Sequence, residues 1–289
     1  MTVPKVITLE AAPDLRQIYV SAALKRRRVG DTLPDVRVAR AGVSVDVPGL
    51  AAYARVCRLP LGATLPLTYP HLLAFPLQMV VMAGDGFPLP LLGAVHVENR
   101  IEVTRAVAVD ELLDIDVWAQ DLRPHRRGTQ VDLVSEVSTR GELVWRGVST
   151  YLARGAEHPD APRSEAPSTT PLAAVTGGPQ WRLGDDTGRA YAGVSGDWNP
   201  IHLHALTARP LGFPGAIAHG MYTYARAMGS LGPRLAPEGL TSRVWFRKPV
   251  PLPSTVRLRT AFAPESTLSV LESASGDTEH AVVENTWAP

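Results

Sequence analysis

The stretch Tyr191-Ala192-Gly193-Val194-Ser195-Gly196-Asp197-Trp198-Asn199-Pro200-Ile201-His202, followed by Ile217-Ala218-His219-Gly220-Met221, decides how this chain reads. Asn199-Pro200 favours a turn between Asp197 and His202, so a carboxylate and an imidazole are expected to converge on one small site instead of lying along a strand. The beginning of the stretch has a partner earlier in the chain: Ala52-Tyr53-Ala54-Arg55-Val56-Cys57 parallels Ala190-Tyr191-Ala192-Gly193-Val194-Ser195. Arg100-Ile101, with Val107, Leu113 and Ile115 after it, likewise parallels Arg243-Val244 followed by Val250, Val256 and Leu258. Both correspondences sit at an offset of about 140 residues, and a repeated order of elements points to internal duplication.

Residues 152–180 separate the two copies. They are rich in Pro, Ser, Thr and Gly, as in Ala166-Pro167-Ser168-Thr169-Thr170-Pro171 and Gly177-Gly178-Pro179, and read as a linker between a first half, 1–151, and a second, 181–289. In the second half Gly215 to Leu231 is long enough for a mostly apolar, central helix that Gly232-Pro233 would stop. Strand character follows in Ser242 to Phe246, Thr255 to Phe262, Leu268 to Glu272 and Ala281 to Trp287. The first half repeats the order, with a helix around Leu72 to Met82 and then strands near Ala94 to Val103, Leu112 to Trp118, Thr129 to Thr139 and Glu142 to Ala153. One buried helix followed by antiparallel strands predicts an α+β unit in which a sheet wraps a single helix, built twice.

Composition narrows the classes. Over 289 residues, hydrophobic side chains make up 45% and charged ones 20%, which suits a globular chain with a substantial core. With 29 basic against 28 acidic side chains the net charge is +1, so no bulk field for nucleic acid or an anionic membrane is present. Lys25-Arg26-Arg27-Arg28 and Arg123-Pro124-His125-Arg126-Arg127 are local basic clusters, read as solvated loops. The single cysteine, Cys57, leaves no internal disulfide and fits a reducing compartment. Met1-Thr2-Val3-Pro4-Lys5, with Glu10 and Asp14 before any long apolar run, departs from a secretory signal pattern. The apolar run Leu72 to Met82 is well short of the ~20 residues that span a bilayer. The expected location is cytoplasmic.

Tyr191 to His202, with Gly212-Phe213 and Ile217 to Met221, resembles the MaoC-like family of (R)-specific enoyl-thioester hydratases, that is, hydratase 2 or 3-hydroxyacyl-thioester dehydratase. Ser195-Gly196-Asp197, Asn199-Pro200, His202 and Ala208 stand in the family's order and spacing; the remainder of the chain resembles it by element order. The resemblance implies a hotdog fold, here a double hotdog in one chain, with an active site between the two units. It implies reversible syn hydration of a trans-2-enoyl thioester to an (R)-3-hydroxyacyl thioester. No metal or redox cofactor is expected, coenzyme A or phosphopantetheine being part of the substrate. The partner would be acyl-CoA or an acyl carrier protein, and two double-hotdog chains could pair as a homodimer.

The residues support that chemistry on their own terms. A thioester carbonyl polarises its conjugated double bond, so one water held between Asp197 and His202 can supply both the hydroxyl at Cβ and the proton at Cα. Which of the two is the base stays open, because their titrations are coupled. By the resemblance, the Gly220 N–H at the start of the central helix would stabilise the enolate oxygen. Asn199 and Ser195 are expected to support the loop, and His219 to anchor the segment before the helix. Arg243, Arg247 and Lys248 could meet phosphates or an acidic carrier surface.

Other readings are weaker. Gly193-Val194-Ser195-Gly196-Asp197 is not the Gly-x-Ser-x-Gly elbow of a serine hydrolase. Asp197, His202 and His204 could in principle ligate a metal, but His204 reads as solvent-facing. A hotdog thioesterase, or a silent acyl-thioester or carrier-binding protein, are the alternatives by function. In the first half the place of Asp197 falls on Leu59, with no Asn-Pro pair or following histidine, so one site per chain is expected. The first half, rich in Leu, Phe, Val and Met from Leu72 to Leu92, is then free to line a pocket for a long or bulky acyl group.

Overall fold

The computed structural model describes residues 4–24, 31–91, 93–162, 166–235 and 238–287. The first half runs β1 (Lys5–Thr8), α1 (Leu15–Leu24), β2 (Val36–Val43), α2 (Val47–Cys57), α3 (Tyr69–Ala83), β3 (Val95–Val103), β4 (Leu113–His125), β5 (Gly128–Thr139) and β6 (Glu142–Arg154). The second runs β7 (Gln180–Leu183), α4 (Thr187–Ser195), α5 (Ala205–Ala208), α6 (Gly220–Leu231), β8 (Leu240–Phe246), β9 (Ser254–Ala263), β10 (Ser266–Ser273) and β11 (Glu279–Thr286). Between β6 and β7 the described residues form a single 3-10 turn, Thr170–Leu172.

All eleven strands join in one sheet of order β1-β2-β4-β5-β6-β3-β8-β11-β10-β9-β7. From β2 to β7 the order is a mirror image about its centre, where β3 and β8 pair antiparallel with Arg100 opposite Arg243. The sequence repeat equates those two arginines, so a pseudo-twofold axis passes through them. β1 breaks the symmetry, pairing parallel with β2.

Alternation sets the inner face of each strand. On β4, Leu113, Ile115 and Val117 are buried while Asp114, Asp116 and Trp118 are partly exposed, the pattern of a sheet covered on one side. The covering element is α3, apolar almost all round, with Leu72, Phe75, Leu77, Met79 and Met82 buried. It begins at Tyr69, earlier than the apolar run suggests, because Pro70 in the first turn forfeits no helical hydrogen bond. In the second half α6 begins at Gly220 instead of Gly215. After a bend at Gly215, residues 216–219 are held extended, with Ile217 bridging Pro251 and the Ala218 N–H donating to the Val250 carbonyl at 2.9 Å.

The two copies of the Tyr-containing helix meet: α2 packs on α4, and the Tyr53 and Tyr191 rings lie 6.3 Å apart. Both helices end in a left-handed residue, Arg58 (φ 57°) after α2 and Gly196 (φ 73°) after α4. The duplication therefore extends to the caps. Each central helix also meets its sheet through a buried polar network. Gln78 Nε2 of α3 donates to Ser135 Oγ at 3.0 Å and Ser149 Oγ at 3.3 Å, and the Tyr151 hydroxyl donates to Gln78 Oε1 at 3.3 Å. In the second half Tyr224 of α6 reaches Ser242, which bonds Asn285. Satisfied buried networks of this kind fix the rotation of a helix that apolar contacts alone leave free.

Replacing Gln78→Leu takes the side-chain partner from the Ser135 and Tyr151 hydroxyls in the core, while Ser149 keeps the Asn99 amide at 2.9 Å. The expected cost is about 1–3 kcal/mol of unfolding free energy, read from the urea midpoint at unchanged m-value.

Candidate active site

The site is built where α4 ends. Gly196 turns the chain out of the helix in the left-handed region that favours glycine, its N–H still bonded to the Ala192 carbonyl at 2.9 Å. Two side-chain turns follow. Asp197 Oδ1 accepts from the Asn199 N–H at 3.1 Å, and Asn199 Oδ1 accepts from the Ile201 N–H at 3.4 Å, capping the 3-10 turn Pro200–His202. Ser195 ties the loop to its helix, donating to the Tyr191 carbonyl at 2.8 Å and accepting from the Asp197 N–H at 3.2 Å.

His202 is 8% exposed, and its Nδ1 donates to the Ile217 carbonyl at 2.8 Å. In the neutral ring that bond leaves Nε2 as a lone-pair acceptor. His219, at the N-cap of α6, donates from Nε2 to the Asp197 carbonyl at 3.0 Å. Its ring stacks on His202 at a centroid distance of 3.7 Å and is backed by Tyr191 at 4.7 Å. His219 thus anchors the backbone of Asp197 as well as the segment before the helix. The other Asp197 oxygen, Oδ2, stands 3.8 Å from His219 Nε2.

Burial dominates the electrostatics. It holds the His202 imidazole below the ordinary histidine value against the pull of Asp197 and the Ile217 carbonyl. Burial, with His202 beside it, pushes His219 down to about 3. For Asp197 burial works against the charge, but the two imidazoles, the Tyr19 hydroxyl and the Asn199 N–H outweigh it and bring the carboxyl below its ordinary value. The resting site therefore holds an ionised carboxylate beside a neutral imidazole.

These groups open onto a pocket of about 310 Å³. One wall comes from the first half, Leu72, Phe75, Met79 and Met82 of α3 with Leu91 and Ala94. The rim carries four exposed cations, Arg127 and Arg154 from the first half and Arg247 and Lys248 from the second. Gly220, the first residue of α6, lines the pocket where helix N–H groups have no intrahelical partner. A Cβ on it would meet the Phe246 ring at 2.9 Å, so the glycine makes room for that ring.

Of the residues singled out from sequence, Ser195, Asp197, Asn199, His202, His219 and Gly220 come together here, and Arg247 and Lys248 reach the rim. Arg247 also pairs there with Glu279. Arg243 lies elsewhere, on the β3–β8 seam, where it bonds Glu98 at 2.5 Å and covers the Trp245 ring. His204 is exposed and caps α5, accepting from the Leu206 N–H at 3.2 Å. The histidine that completes a set with Asp197 and His202 is His219, their ligand atoms falling within 4.8 Å of one another. Each ring gives one nitrogen to a backbone carbonyl, His202 Nδ1 to Ile217 and His219 Nε2 to Asp197, and keeps the other clear of that bond. Lys25 to Arg28 lie outside the described residues.

Two residues had no signal in the sequence. Tyr19, on α1, donates its hydroxyl to Asp197 Oδ1 at 2.8 Å across a separation of 178 residues. Gly188, on α4, is pressed against the turn that carries the imidazole, and a Cβ there would stand 1.9 Å from the His202 carbonyl oxygen.

A family model described as a MaoC like domain matches residues 159–278. The chain is 39% identical over 235 residues to 3-hydroxyacyl-thioester dehydratase X of Mycobacterium tuberculosis, covering 80% of this chain and 82% of that protein. The crystal structure of that organism's HtdX superposes with a TM-score of 0.76 at 34% identity, over 87% of this chain and all of that one. A MaoC-like dehydratase from Phytophthora capsici shares the fold at a TM-score of 0.71 and 17% identity, over 87% of this chain and 95% of that one. The fold is thus a double hotdog of the dehydratase class. Within that class the chain belongs to the MaoC-like dehydratase family, and it is a lyase with hydratase/dehydratase activity. No helix among the described residues is long and apolar enough to cross a membrane.

Gly188→Ala must displace the His202 turn. We expect at least a 10-fold loss of hydratase rate with the overall fold retained, checked by far-UV circular dichroism beside the assay, on the scale at which misplaced catalytic groups act.

Proposed function

We propose that the protein catalyses reversible hydration of trans-2-enoyl thioesters to (R)-3-hydroxyacyl thioesters, with Asp197 and His202 sharing one water. The observation that carries this is the 2.8 Å contact of His202 Nδ1 with the Ile217 carbonyl, which assigns the proton to Nδ1. With Nδ1–H given to the Ile217 carbonyl, the imidazole offers a bare Nε2 beside an ionised carboxylate, two acceptors for one water.

The step balances with no further reactant. The pair takes a proton from water as its oxygen bonds Cβ, and the π electrons move toward the thioester carbonyl to give an enolate. The proton held by the pair then goes to Cα, so hydroxyl and hydrogen arrive on one face. The first-turn N–H of Gly220, at the positive end of α6 and on the pocket wall, supports the negative charge that gathers on the thioester oxygen. Proton transfer is all the reaction requires, so coenzyme A or phosphopantetheine enters as part of the substrate. Arg127, Arg154, Arg247 and Lys248 on the rim suit the phosphate of either carrier, and the apolar wall of α3 suits the acyl chain. The name of the Mycobacterium tuberculosis relative supports the 3-hydroxyacyl-thioester class, and the family resemblance supports the (R) product.

Loss of enoyl-thioester absorbance, with chiral analysis of the product, tests the reading. Asp197→Asn and His202→Ala are each expected to lower kcat by at least ~100-fold, the scale of a removed acid–base group. Wild-type rates in both variants, or free thiol released in place of hydration, would overturn it. The pH profile carries its own sign. His202 accepts only when neutral, and burial holds its pKa below the ordinary 6.5, so the hydration rate should stay level as pH falls through 6.5 and decline only at more acid pH.

A further inference from the structure

α1 stands outside the duplicated pattern, since among the described residues no α-helix lies between β6 and β7. It hangs from β1, which is itself an addition to the edge of the first half's sheet. Its start is set by Asp14, whose Oδ1 accepts from the Arg16 N–H at 2.9 Å. Yet its contacts reach into the other half, along the catalytic loop. Leu15 packs on Gly196, where a Cβ would come within 2.8 Å of Leu15 Cδ1. The Arg16 guanidinium lies 5.1 Å from the Trp198 ring centre, and Tyr19 donates to Asp197 Oδ1 at 2.8 Å.

We propose that Tyr19 is a positioning residue of the active site, holding the Asp197 carboxylate in one rotamer and in its ionised form. The inference rests on Asp197 acting in acid–base chemistry as set out above. With Oδ1 taken by the Tyr19 hydroxyl and the Asn199 N–H, Oδ2 is left as the oxygen that handles water. Tyr19 lines the pocket and, being half-buried next to a carboxylate, keeps its own proton and stays a donor. A donor to the charged form favours that form, so the hydroxyl offsets part of what burial costs the Asp197 charge. The N-terminal segment of the first half thus completes a site whose acid–base pair belongs to the second.

Tyr19→Phe keeps the ring and removes only the donor. The expected result is a fall in kcat of about 10-fold, the effect of losing one hydrogen bond to a charged group, with KM little changed. The acid limb of the rate profile reports the coupled Asp197–His202 pair, and its Asp197 step should move to higher pH, because Asp197 then protonates more readily. Arg16→Ala, which loosens the helix without touching the carboxylate, should leave that limb where it is. A Tyr19→Phe enzyme with wild-type kcat and acid limb would overturn the proposal, as would an Arg16→Ala enzyme whose acid limb moves equally far. Asp197→Asn, measured in parallel, separates the two ideas: if it is active, the acid–base reading itself fails; if it is inactive while Tyr19→Phe matches wild type, only the role of Tyr19 falls.

Discussion

The antiparallel pairing of β3 with β8 is the interaction on which the rest of this molecule depends. It lays Arg100 opposite Arg243 and so sets two copies of one unit about a pseudo-twofold axis. That placement turns the apolar face of α3 toward the loop that follows α4, and the pocket arises between them. Neither unit contains it alone: Asp197, His202 and His219 lie in the second, while much of the apolar wall and two of the rim cations lie in the first. The same seam engages Arg243 with Glu98, so a residue that might have met a ligand serves instead to register the halves.

Symmetry also shows what the first half has given up. α2 and α4 end at equivalent caps, but the residue after the cap is Leu59 in one and Asp197 in the other. Leu59 packs near Gly229 of α6, in apolar surroundings where an unpaired carboxylate would be costly. In the second half the corresponding position has its charge supported by an imidazole pair, a loop N–H and a tyrosine hydroxyl. The difference lies in partners, since the backbone is alike in both.

Much of this is legible in the sequence. Turn chemistry is local, so Gly196, Asp197, Asn199 and Pro200 announce the loop that brings His202 round, and period-two alternation announces β4 and its neighbours. What stayed hidden depends on distant parts of the chain. Tyr19 reaches Asp197 only because β1 docks on β2, and four-residue edge strands such as β1 and β7 carry too few side chains to show a period. Gly188 looks like any helical glycine until α4 is laid against the His202 turn. Arg243 reads as a free cation until the register of β3 and β8 places Glu98 beside it. The apolar run puts the start of α6 five residues early, at Gly215 instead of Gly220, because the bridge from Ile217 to Pro251 is a tertiary contact.

Carrying both units on one chain has a further consequence. In a pair of identical subunits related by a twofold axis every substitution is made twice, so a change that widens one wall also alters the other catalytic loop. Joined through β3 and β8, the copies are free to drift apart. Leu59 can occupy the place of an aspartate without silencing the enzyme, and α3 can be reshaped without any penalty at α6. The fusion exchanges symmetry for latitude: the wall that α3 lends the pocket can be altered independently of the loop it faces.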